Sequence, residues 1–223
     1  MSNNVVAAAI IAAVLGGCSL MPNEKLAPQP GADQVEMTKE QGGKFLAFVG
    51  PKLLHTEAFL GVDETNYFCL RSWLDTRNGE VAHQVYVEDS YYGAPYRWDG
   101  AHDADNKNLR FIAISRNEIS CDQGCSYADE FAAALPEDLL RAHRDSGLTV
   151  TFTAQTGKTL TVNVPGRFIA EQLTAVDATR AALAANAKAA QAAAPTPTPT
   201  PAAPAAEPAP APAAAPATSA PPK

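Results

Sequence analysis

The chain has 223 residues, with 17 Lys and Arg against 24 Asp and Glu, which gives a formal net charge of −7 at pH 7. A mildly acidic chain with dispersed charges and no basic patch makes a poor partner for nucleic acid or for an anionic lipid face. At 46% hydrophobic residues it has the material for a core, and its four cysteines make the redox compartment the first question.

Residues 5 to 17 form an apolar run without a single charge. A membrane-spanning helix needs about 20 such residues, so this run is too short to span and fits the hydrophobic region of an export signal. It ends in Leu15-Gly16-Gly17-Cys18-Ser19. That ending resembles the lipobox of bacterial lipoproteins, although Met1-Ser2-Asn3-Asn4 lacks the Lys or Arg that usually opens a signal. The resemblance implies a signal peptide over 1–17, cleavage before Cys18 and lipid (palmitate) on that cysteine. Ser19, in place of Asp, implies the outer membrane facing the periplasm. Two or three acyl chains anchor stably where one does not.

Residues 18–43 are rich in Pro, Gly and Gln with little periodicity and read as a lipidated tether. The globular domain is expected over 44–180, as α+β with a mostly antiparallel sheet of about six or seven strands and a C-terminal helix. Phe45 to Val49 is a short apolar strand stopped by Gly50-Pro51. Asn66–Leu74 and Glu80–Glu88 flank Asp75-Thr76-Arg77-Asn78-Gly79, and Asn-Gly is a strong hairpin signal. Residues 89–108 read as a long polar and aromatic connection. Leu109–Ile119 and Tyr127–Leu135 form a second hairpin, and Pro136-Glu137-Asp138 opens a short helix that Gly147 stops. Thr149–Ala154 and Thr159–Val164, rich in Thr and Val, form a third hairpin. From Arg167 the period changes: Ile169, Leu173, Val176 and Leu183 share one helical face, and an Ala-rich extension over 181–194 projects into solvent. Residues 195–223 hold eleven of the eighteen prolines. Such a segment stays disordered near polyproline II, with Thr196, Thr198 and Thr200 as candidate O-glycosylation sites.

With Cys18 lipidated, Cys69, Cys121 and Cys125 remain. Cys121-Asp122-Gln123-Gly124-Cys125 favours a bridge between Cys121 and Cys125, because a Gly-containing turn brings hairpin ends to disulfide distance. A bridge from Cys69 to either of them is the alternative. Three cysteines without a nearby histidine do not make a zinc site, so no metal and no cofactor is expected. Tyr86, Tyr91, Tyr92, Tyr96 and Trp98 offer a stacking surface for a sugar, a peptide or a protein. Asp99, Asp103, Asp105 and Asn106 lack the glycine and distal Glu of a calcium loop and read as a solvated turn. Asp129 and Glu130, with Arg71 and Arg116, read as a structural ion pair or as exposed charge. His55, His83, His102 and His143 are scattered, and no motif supplies a nucleophile.

The order Phe68-Cys69-Leu70-Arg71-Ser72-Trp73-Leu74-Asp75, His83-Gln84-Val85-Tyr86-Val87, Tyr92-Gly93, Cys121 to Tyr127 with Glu130, and Gly147-Leu148 resembles an uncharacterised family of exported bacterial proteins, often lipoproteins. The resemblance implies an envelope domain and transfers no catalytic residue. The expectation is a lipid-anchored, non-enzymatic binding or scaffold module. Its partner is another envelope protein or peptidoglycan, with the membrane reached through Cys18 and no nucleic acid bound. The alternative is a periplasmic enzyme or a small-ligand or glycan-binding protein using residues 86–98.

Overall fold

The computed structural model describes residues 24–28, 31–122 and 124–193. The expected signal peptide, Cys18 and the tail 195–223 lie outside the described residues. The fold is α+β, a mostly antiparallel sheet with a C-terminal helix. Its elements are β1 (Glu24–Leu26), β2 (Glu36–Glu40), β3 (Phe45–Val49), β4 (Leu53–Leu54), β5 (Tyr67–Asp75), β6 (Val81–Tyr92), β7 (Trp98–Asp103), β8 (Asn108–Ser120), β9 (Ser126–Leu135), α1 (Glu137–Ala142), β10 (Leu148–Ala154), β11 (Thr159–Val164) and α2 (Gly166–Ala193).

The strands form one sheet in the order β1-β2-β3-β5-β6-β9-β8-β7-β10-β11, with β4 paired to β5. Phe68 and Leu70 of β5 share a core cluster with Val162 and Val164 of β11, although β6, β9, β8, β7 and β10 lie between them in the sheet. The sheet therefore curls back on itself and encloses that core. Period-two patterning builds the inner face: in β10, Leu148, Val150, Phe152 and Ala154 are buried while the threonines between them are half-buried. Helix α2 closes the open side. Its Ile169 and Leu173 enter the main cluster, and Ala175 and Val176 pack with Val35, Met37, Leu46, Phe48 and Leu74 in a second one. Beyond Leu183 the helix is exposed, as expected of its alanines.

Four strands were not expected: β1, β2, β4 and β7. The tether expected over 18–43 is corrected from Glu24 onward, because β1 pairs with β2, β2 pairs with β3, and Ala32, Val35 and Met37 are buried. Their side chains complete the second cluster under α2, which outweighs the poor local strand signal. The turn joining β5 to β6 forms where Asn-Gly predicts it. Gly79 takes φ 76°, and the Asp75 carboxylate accepts the Arg77 N–H at 2.9 Å. Gly147 is required where α1 hands over to β10: it has φ +86°, and a Cβ there would lie 2.8 Å from the Val164 carbonyl oxygen.

Candidate functional site

The register sorts the molecule into two ends. Glu24 of β1 lies opposite Lys39, next to Glu40 and Phe45, and Phe45 pairs with Asp75. From there β5 runs back to Tyr67 and β6 runs forward to Tyr92, which pairs with Ser126. A 12-residue strand spans about 40 Å at 3.3 Å per residue. The far end gathers Tyr92, Tyr96, Trp98, Tyr127 and the Cys121–Cys125 disulfide that ties β8 to β9. Cys69 is free and buried.

The five aromatic residues expected to share a surface divide between two faces. Tyr91 and Tyr96 stack with centroids 3.7 Å apart, Trp98 meets Tyr96 edge-on at 5.8 Å, and Trp98 packs on Phe131 at 5.0 Å. These three form one block on the inner side. Tyr86 lies on the other face of β6, under the Arg71 guanidinium 3.4 Å from its ring and beside Tyr67 and Cys69. Tyr92 is exposed and touches Phe59.

The block separates two hollows. On one side β7 and β8 pair only at Ala101–Leu109 and His102–Asn108 and then part. The gap is a cleft of about 510 Å³ with Trp98, Phe111 and Phe131 as its apolar wall and Arg97, Arg116 and Gln155 among its polar residues. On the other side His55, Asp89, Tyr91, Tyr96, Trp98 and Lys158 help to wall a recess of about 250 Å³.

Between them runs a pair of like-charge contacts. Asp89 lies directly opposite Asp129, and Glu88 directly opposite Glu130, an arrangement that destabilises a sheet unless compensated. Asp129 is compensated: Arg116 Nε donates to it at 2.7 Å and the Tyr91 hydroxyl donates at 2.8 Å. Glu88 accepts from the Ser90 hydroxyl and from the Asn66 backbone N–H. Asp89 has only the Trp98 indole N–H, which favours its ionised form without reaching full hydrogen-bond geometry. Burial, reinforced by Asp129 and Glu88, pushes its carboxyl up to about 6. His55 Nε2 stands 3.9 Å from Asp89 Oδ1 and donates instead to the Glu88 carbonyl at 2.9 Å. A carbonyl only accepts, so Nε2 carries the proton and Nδ1 of the neutral ring is bare. Burial lowers the His55 pKa and keeps the ring neutral.

A second constellation lies under α2. Ser72 Oγ and His83 Nδ1 are 2.7 Å apart, and His83 Nε2 faces Glu137 Oε2 at 4.0 Å. The residue types are those of a serine, histidine and acid triad. A nucleophile must reach its substrate, and Ser72 is 1% exposed, its oxygen already receiving Gln172 Nε2–H at 2.9 Å. The arrangement serves packing. Asp103 likewise closes the β7–β8 turn, accepting the N–H groups of Asp105 and Lys107. Among the described residues Glu118, Cys121 and Cys125 approach metal-ligand spacing, but the two sulfurs are bonded to each other and offer no thiolate.

No protein-family model matches the chain, and no curated protein or solved structure matches it either. The reading of function therefore rests on its own residues.

Proposed function

We propose that this is a lipid-anchored protein of the bacterial envelope, a non-enzymatic binding module that holds its aromatic end away from the membrane to meet another envelope component. The observation that carries the reading is the separation of the two ends. Cys18 precedes Glu24 by only six positions, so the chain between them reaches at most about 20 Å. The aromatic end lies a full strand length from Glu24, with the cleft and the recess beside it. An apolar wall with a few polar groups around it is the usual make-up of a ligand site, and about 510 Å³ falls within the usual volume.

Two measurements on cells test this. Cys18→Ser is expected to move the protein from the membrane to the soluble envelope fraction, and an unchanged distribution would remove the anchor. A photo-crosslinking residue in place of the exposed Tyr92 is expected to give adducts with an envelope partner, whereas one at Asn78, at the anchored end, is not. Adducts from Asn78 alone would reverse the orientation. Repeating the Tyr92 arm on a chain ending at Ala194 tells whether the Pro/Ala tail contributes to capture.

A further inference from the structure

The recess at the aromatic end gathers three unmet hydrogen-bonding groups around one hollow. His55 Nδ1, Asp89 Oδ2 and Trp98 Nε1 are all buried without a hydrogen-bond partner, and all three residues wall the same hollow. Trp98 Nε1–H lies near enough to the Asp89 carboxylate to favour its ionised form without closing a hydrogen bond. Folded proteins leave few buried polar atoms unpartnered, because each forfeits the hydrogen bond it made with water. Three in one place, ringed by Tyr91, Tyr96 and the exposed Thr56, Lys158 and Thr159, form a site that is complete on the protein's side.

The donor and acceptor inventory selects the ligand. Asp89 Oδ2 and bare His55 Nδ1 accept, and Trp98 Nε1–H donates. A carboxylate at the floor would meet Trp98 but be repelled by Asp89. An ammonium would meet both acceptors and leave the indole N–H unpaired. Neighbouring hydroxyls satisfy all three, because each hydroxyl donates and accepts, and their apolar ring edge suits an aromatic wall. At the mouth, exposed Lys158 Nζ stands 5.4 Å from the Tyr96 ring centroid, within reach of an acidic substituent.

We propose that this recess binds a saccharide, seating one sugar unit with its hydroxyls on Asp89, His55 and Trp98 and preferring sugars that carry a carboxylate near Lys158. This deepens the reading of the aromatic end as the binding end and rests on it. The test is calorimetric titration of the full-length protein, purified in a zwitterionic detergent that carries no sugar. The probes are the disaccharide of N-acetylglucosamine and N-acetylmuramic acid and its neutral counterpart, the N-acetylglucosamine dimer. Both are expected to bind, the acidic one more tightly. Trp98→Phe keeps a ring but removes the donor, and is expected to weaken both about tenfold. Lys158→Ala, at an exposed position, is expected to abolish only the preference for the acidic sugar. No heat with either sugar at millimolar concentration overturns the proposal, as does binding unaffected by both substitutions. Binding of acetamide in place of the sugars overturns it too, since a primary amide meets the same three atoms. If the sugars fail while Tyr92 still crosslinks a partner protein, the saccharide falls and the binding end stands; if both fail, the reading of that end falls with it.

Discussion

His83 and His55 are both withdrawn from water, each beside an acid and each on or against β6, and they have opposite fates. The His83 ring meets the Ser72 hydroxyl, which meets the Gln172 amide, which also donates to the Phe48 carbonyl at 3.1 Å. That chain of bonds ties the sheet to α2 and lies under a helix. The His55 ring is held by one bond to a backbone carbonyl, beside a carboxylate whose only nearby side-chain donor, Trp98, falls short of full hydrogen-bond geometry. Well-connected buried polar networks rigidify a core, whereas an unpaired buried polar group is costly. The first cluster is knit into the fold by three side-chain bonds, with His83 Nε2 and Gln172 Oε1 left over under a helix; the second opens onto a recess.

The strongest way to break this contrast is to cut the first network. Gln172→Ala leaves the Phe48 carbonyl without its donor, removes the Ser72 contact and opens a void between α2 and the sheet. It is expected to cost about 3–4 kcal/mol, read as a lower midpoint in chemical denaturation. A loss under about 1 kcal/mol would mean that the Ser72–His83–Gln172 chain does not hold α2 down.

Next comes Asp89, which sharpens the contrast through pH. Its carboxyl, normally near 3.8, is pushed up to about 6, so the folded state binds its proton more tightly than the unfolded state does. That contribution is full below about 3.8 and is lost as pH rises through 6. The His83 ring moves the other way: burial lowers it from 6.5 to about 4, so the folded state holds it neutral and stability falls as pH drops through that window. Each shift corresponds to about 3 kcal/mol at 1.36 per unit, and the two nearly cancel between pH 4 and 6.5. Asp89→Asn is expected to remove one side of the balance. The variant should be about 2–3 kcal/mol more stable than the parent at pH 7, equal to it near pH 4, and should gain a steep rise in stability between. A parent stability curve that climbs steeply through that window would show that Asp89 is not held in its protonated form.

The sequence patterns reached the fold class and seven strands because those strands carry their own period, as the alternation of Leu148, Val150, Phe152 and Ala154 illustrates. They missed β2 because Met37 is the one apolar residue among Glu36, Thr38, Lys39 and Glu40. The strand exists for its partners, and partners are not written locally. The aromatic set was found in the chain but not sorted by face. Tyr86 and Tyr91 are five positions apart, and an odd separation in a strand points two side chains to opposite faces. That signal was available once β6 was continued past Glu88 to Tyr92. No comparable sign linked His55 to Asp89, which lie 34 positions apart and meet only because the loop before β5 folds back over β6. The opposition of Asp89 to Asp129 depends on the register of β6 with β9, which hairpin reasoning does not supply for strands joined by so long a connection.

The smallest expected effect probes the border between the two hollows. Arg116 is the cation that makes Asp129 tolerable opposite Asp89, but its own side chain is 40% exposed while that of Asp129 is 2% exposed. Solvent screens the guanidinium, so the pair is worth less than a fully buried one. Arg116→Gln keeps a donor and most of the length and is expected to cost about 1 kcal/mol at pH 7. The more telling consequence falls on its neighbour. With Asp129 less well neutralised, the charge opposing Asp89 grows and the Asp89 carboxyl should titrate at higher pH than in the parent, measured by carbonyl NMR of the labelled side chain. A shift downward, or none, would mean that the two aspartates do not sense each other across the strands. The cleft and the recess would then be independent sites that happen to share Trp98.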